Sequence, residues 1–125
     1  MKFHHIGIGC SSIDECIEYL KPLLEIESIS DTIYDPLQDA HLCMLSLKDG
    51  PQIELIEGAP VEKIVKKGLY LYHTCYEVED LDKTREYLEA QGSIVISPAK
   101  EAVLFGGKKV MFLSSKLGLI ELLEM

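Results

Sequence analysis

Two histidines and two glutamates occupy matched places in this chain. His5 lies in Phe3-His4-His5-Ile6-Gly7-Ile8, and a step of 68 residues carries it onto His73 in Leu71-Tyr72-His73-Thr74-Cys75-Tyr76. The same step carries Asp14 onto Asp82 and Glu18-Tyr19-Leu20 onto Glu86-Tyr87-Leu88. Further on, a step of 67 lays Gln52-Ile53-Glu54-Leu55-Ile56-Glu57 over Leu119-Ile120-Glu121-Leu122-Leu123-Glu124, and Met44 over Met111. Matches in this order mark an internal repeat, and one residue of drift is what a single loop deletion produces. A duplicated module brings equivalent positions together across a pseudo-twofold axis. Two imidazoles and two carboxylates converging in this way form a mixed nitrogen and oxygen ligand set for one divalent cation. Taken singly, His5 or His73 reads as a hydrogen-bonded structural histidine, and Glu54 or Glu121 as a solvated edge residue. Their match through the repeat is what favours the metal.

The elements that must position these groups follow from periodicity. Residues 2–9 alternate as a strand, with His5 on one face beside Phe3, Gly7 and Gly9, and with Ile6 and Ile8 on the other, toward a helix. Ser12 with Glu15 three residues on is a capping-box pattern. Ile13, Ile17, Leu20 and Leu24 then recur at helical spacing until Pro22 marks the late kink or end. Three short strands follow near 26–33, 41–47 and 52–57, with Asp49-Gly50 as a hairpin turn between the last two. The second half repeats this as a strand at 70–78, a helix near 80–91 ending at Gln91-Gly92, and strands near 93–97, 108–114 and 118–124. Between the halves, Gly58 to Gly68 is a linker with a short helix over 61–67. The expected fold class is α+β: two tandem βαβββ modules, about 1–58 and 69–125, within one domain of 1–125, forming a curled mixed sheet around a metal cleft.

Composition bounds the function. The 125 residues carry 12 Lys+Arg against 21 Asp+Glu, a formal charge of −9. A nucleic-acid partner would need a basic footprint, and an anionic membrane surface would repel this chain. No apolar run approaches the ~20 residues of a membrane helix, and Met1-Lys2-Phe3-His4-His5 has no signal-peptide character, so a soluble cytoplasmic protein is expected. Cys10, Cys16, Cys43 and Cys75 stand singly, which suits reduced thiols in the core rather than a zinc ribbon or a disulfide framework. His41 is a weak candidate for the cleft, and His4 is expected to be structural. Glu57 and Glu124 are expected to face solvent.

At the repeat the sequence resembles the glyoxalase / bleomycin resistance / dioxygenase (vicinal oxygen chelate) superfamily. The residues that carry the resemblance are His5-Ile6-Gly7-Ile8, Gln52-Ile53-Glu54-Leu55-Ile56-Glu57, Tyr72-His73-Thr74-Cys75-Tyr76-Glu77-Val78 and Gly118-Leu119-Ile120-Glu121-Leu122-Leu123-Glu124. It implies paired βαβββ modules and a divalent metal (Zn, Ni, Co or Mn) held by His5, Glu54, His73 and Glu121. Gln38-Asp39-Ala40-His41-Leu42-Cys43-Met44-Leu45 and Phe105-Gly106-Gly107-Lys108-Lys109-Val110-Met111-Phe112-Leu113 are similar to segments of the methylmalonyl-CoA epimerase branch. The glyoxalase I (lactoylglutathione lyase) branch is the alternative, and a non-catalytic small-molecule-binding protein of the same fold is a third reading. Both enzyme branches imply removal of a proton next to a carbonyl, with Glu121 as first candidate for the base and Glu54 as its partner on the opposite face. The implied substrate is an acyl-CoA or a glutathione adduct, the implied assembly is a homodimer, and no organic cofactor is implied. An anionic substrate needs a local cation against the acidic field, from Lys63, Lys66 and Lys67 or from Lys100, Lys108 and Lys109.

Overall fold

The alternation at the N-terminus forms β1 (Lys2–Gly9) in the computed structural model, which describes Met1–Met125. The chain divides into two compact units, one of His5–Tyr72 and one of His73–Met125 together with Met1–His4. No helix is long and apolar enough to cross a membrane.

In the first unit β1 is followed by α1 (Ile13–Leu20), β2 (Ile26–Ile29), β3 (Ile33–Asp35), β4 (Ala40–Leu47), β5 (Gln52–Gly58) and α2 (Glu62–Lys66). The Ser12 hydroxyl accepts from the Glu15 amide at 3.2 Å and starts α1. The helix stops at Leu20, just before Pro22, which has no amide hydrogen to extend it. β1 runs parallel to β5, β5 antiparallel to β4, and β4 antiparallel to both β2 and β3. The single strand expected over 26–33 is therefore two. Ser30 breaks it: its hydroxyl takes the Met44 amide at 2.8 Å and donates to the Asp31 carbonyl at 3.0 Å, so a side chain replaces one rung of the ladder. Ile13, Cys16, Ile17 and Leu20 pack on Ile8, Cys43, Leu45 and Leu55, which fixes the helix-covered face of this sheet.

The second unit contains β6 (Leu71–Val78) from His73 onward, α3 (Leu81–Ala90), β7 (Ile94–Glu101), a 3-10 turn (Val103–Phe105), β8 (Lys109–Ser115) and β9 (Gly118–Glu124). Asp80 caps α3 by accepting from the Lys83 amide at 3.0 Å, and Gly92 closes it at φ 98°. β6 is parallel to β9, β9 antiparallel to β8, and β8 antiparallel to β7. Val78, Leu81, Met111, Leu113, Ile120 and Leu122 form the core under α3. The expected mixed α+β fold of two βαβββ modules is what the chain adopts, each module having one parallel pairing in an otherwise antiparallel open sheet. β7 is longer than expected, reaching Glu101 instead of residue 97.

The register locates the drift in the repeat. Ser46 pairs with Gln52 in the first hairpin and Ser114 with Leu119 in the second, so the second turn is shorter by one residue. As a result Met44 lies opposite Glu54, whereas Phe112, not Met111, lies opposite Glu121. The Met44–Met111 match is thus a sequence coincidence, and Met111 belongs to the core under α3.

Gly9 is where α2 reaches β1. A Cβ there would stand 2.8 Å from the Val61 Cβ, and its amide donates to the Tyr70 carbonyl at 2.7 Å. Gly9→Ala is expected to lower stability by about 1–3 kcal/mol through overpacking. An unchanged denaturant midpoint would contradict this seating of α2.

Candidate functional site

Each unit buries one histidine–glutamate pair. In the first, Gly7 of β1 is the register partner of Glu54 on β5, and His5 sits two residues back on the same face of β1. The His5 Nε2 and Glu54 Oε1 are 3.4 Å apart, at 0% and 4% residue exposure. In the second unit Cys75 of β6 is the register partner of Glu121 on β9, and His73 again sits two residues back. The His73 Nε2 and Glu121 Oε1 are 3.3 Å apart, at 3% and 2% exposure. Both glutamates follow the same local logic. Their neighbours Ile53 and Leu55, or Ile120 and Leu122, turn toward the helix, and strand alternation sends the carboxylate to the other face.

A buried carboxylate is costly unless something compensates its charge. The two N···O separations exceed the roughly 2.7–2.9 Å of a charge-assisted hydrogen bond. They are wide enough for both atoms of a pair to approach one ion at the usual ligand distance of about 2.0–2.2 Å. Imidazole nitrogen with carboxylate oxygen also suits a borderline divalent cation. The donors in each unit therefore fit two ligands of such an ion.

Other expectations resolve differently. His41 pairs in register with Glu57 and shares the helix-side face of β4 with Cys43 and Leu45. It is exposed, with its ring 5.1 Å from that of Tyr34, so it is not on the Glu54 face. His4 is half-buried, edge-on to Phe105 at 5.5 Å. Glu57 does not simply face solvent: it is half-buried, and its carboxylate accepts from the Ile13 amide at 2.8 Å, capping α1 from a neighbouring strand. Glu124 is half-buried. All four cysteines are free thiols, with Cys10, Cys43 and Cys75 buried. Lys108 and Lys109 are exposed and Lys100 is half-buried.

Sequence reasoning missed Phe112, which lies opposite Glu121 with its ring edge-on to His73 at a centroid distance of 5.4 Å. It also read Cys75 as plain core, although the thiol shares the row of Glu121. Correcting the repeat step across the hairpin by one residue would have exposed Phe112.

Cys10 is held protonated. Burial, then the neighbouring Cys16 and the Glu57 carboxylate, push its thiol from 9.0 up to about 12. Its Sγ donates to the Ile56 carbonyl at 3.4 Å. Because only the unfolded thiol ionises near pH 9, this contribution to stability is complete below that pH and is lost as the pH rises toward 12. Denaturant melts at pH 8, 9.5 and 11 are expected to show a shallower alkaline decline in Cys10→Ala than in wild type. Parallel declines would contradict the assignment.

Comparison with known proteins agrees with this architecture. The Glyoxalase/Bleomycin resistance protein/Dioxygenase superfamily model matches residues 4–112. An ethylmalonyl-CoA/methylmalonyl-CoA epimerase of Cereibacter sphaeroides is 34% identical over 71 residues, covering 52% of this chain and 53% of the relative. The match thus spans about half the length of that curated relative. The crystal structure of methylmalonyl-CoA epimerase from Mycobacterium tuberculosis superposes with a TM-score of 0.81 at 22% identity, over 98% of this chain and 87% of that one. Glyoxalase I from Zea mays gives 0.67 at 18% identity, over 98% of this chain and 42% of that one. At these identities the two structures speak for the fold. With the family model covering most of its length, the chain belongs to the glyoxalase/bleomycin resistance/dioxygenase superfamily.

Proposed function

We propose that His5, Glu54, His73 and Glu121 together hold one divalent cation (Zn, Ni, Co or Mn), and that the protein is an epimerase acting on an acyl-CoA with an acidic α-carbon, of the methylmalonyl-CoA type. The observation that carries this reading is the recurrence of a buried His–Glu pair at the same register in both units. The epimerase relative supports the reaction class. A divalent cation at these donors supplies Lewis acidity toward a carbonyl oxygen, which acidifies the neighbouring carbon.

The chain's own part is proton transfer and positioning. Glu121 is the proposed base that takes the α-proton at its carboxylate, and Glu54 the partner that returns one from the other face. Two glutamates related by the repeat suit a reaction that must exchange protons on both faces of one carbon. Phe112, packed on the His73 ring, limits the freedom of that imidazole.

The test is solvent deuterium incorporation at the α-carbon of methylmalonyl-CoA by metal-loaded protein. Wash-in with interconversion of the epimers is expected. Absence of exchange, alongside turnover of the methylglyoxal–glutathione hemithioacetal, would replace this reading with the lyase.

A further inference from the structure

We infer that the His4 imidazole and the Cys75 thiol together bind a soft monovalent cation, copper(I), at a place separate from the His–Glu pairs.

The second unit brings these two groups together by strand alternation. Tyr76 of β6 packs on the core under α3, so Cys75, the residue before it, points to the opposite face. Residues 1–4 belong to this unit, and the Phe3 ring stands edge-on to Tyr76 at 5.9 Å. His4, next along β1, therefore turns away from the Phe3 side, toward the face of Cys75. Its donor nitrogen lies within 4.8 Å of the Cys75 sulfur. A cation in line between two donors, at about 2.0–2.3 Å from each, spans about 4.0–4.6 Å, so one ion can touch both.

The donors and their burial select the ion. Thiolate sulfur favours copper(I) over harder cations. Zinc takes four ligands, and a single N,S pair leaves half of its shell unfilled, whereas copper(I) accepts two donors in line. Cys75 is fully buried, at 0% exposure. A buried site favours the least net charge, and one thiolate with copper(I) sums to zero where a divalent ion would leave +1. His4 is half-buried, which gives the ion its entry, and Phe105 stands edge-on to the imidazole at 5.5 Å and limits its freedom. The overall charge of −9 draws cations toward the chain. On binding, a sulfur–copper bond replaces the S–H bond of Cys75, the proton passes to solvent, and no electron is transferred.

The test is anaerobic titration of the full chain with copper(I) against a competing chelator, with the ultraviolet thiolate-to-copper charge-transfer band as a second readout. One equivalent per chain is expected, with the band. Cys75→Ala should lose both. His4→Phe keeps a ring against Phe105 and should fold as wild type by its melting midpoint. It should weaken binding by more than the roughly 10–100-fold that a change behind the ligands costs. Cys16→Ser, which removes a half-buried thiol elsewhere, should bind as wild type, and so should Glu54→Gln, which alters the proposed divalent site. Wild type that binds no copper(I), or a Cys75→Ala or His4→Phe variant that binds it as wild type does, would overturn the inference. Loss of the copper(I) in Glu54→Gln would do the same, by placing the ion among the His–Glu pairs.

Discussion

Glu121→Gln is expected to reduce α-proton exchange by about 10²–10⁴-fold at saturating metal, the usual contribution of a positioned general base. The amide keeps the volume and one oxygen donor but cannot accept a proton at neutral pH. Glu54→Gln should behave differently. If the two carboxylates serve opposite faces, this variant stops interconversion of the epimers but still washes solvent deuterium into the epimer that Glu121 deprotonates. Following each epimer separately distinguishes these outcomes. Equal exchange in both variants and in wild type would remove the glutamates from the proton path. The burial of both carboxylates, at 4% and 2% exposure, makes a purely solvating role an inadequate account of either.

The second large effect concerns stability. His73→Ala empties the space of a buried imidazole beside Glu121, and truncating a large buried side chain costs about 2–5 kcal/mol. Binding of a cation to the folded state alone adds stability that chelation should withdraw. Thermal melts with and without EDTA are therefore expected to differ in wild type and to coincide, at a lower midpoint, in His73→Ala. An identical EDTA shift in the variant would place any bound ion elsewhere.

The features legible in sequence were those that depend on composition and short-range period. Alternation around His5, the Ser12 cap, the Pro22 stop and the Asp49-Gly50 hairpin act over a few residues, and each appears in the fold as expected. The repeat then supplied both His–Glu pairs, because duplication preserves register where a single strand has none to offer. What escaped depends on counting across turns. A side-chain period of two means that one residue more or less reverses every face beyond it. The shortened turn between β8 and β9 hid Phe112. His41 was misplaced for a related reason: only its pairing with Glu57 shows that it lies on the helix side. The Glu57 cap on α1 joins residues 44 apart in sequence, beyond the reach of any local capping pattern.

The central claim, that both pairs serve one cation, is tested most directly by elemental analysis of protein loaded with zinc, nickel, cobalt or manganese and freed of excess metal. The prediction is one equivalent of divalent ion per chain in wild type, none in His73→Ala and none in His5→Ala, since neither pair alone supplies a full set of ligands. Protein that retains no ion from any of the four metals, or a His5→Ala variant that still retains a full equivalent, would contradict it.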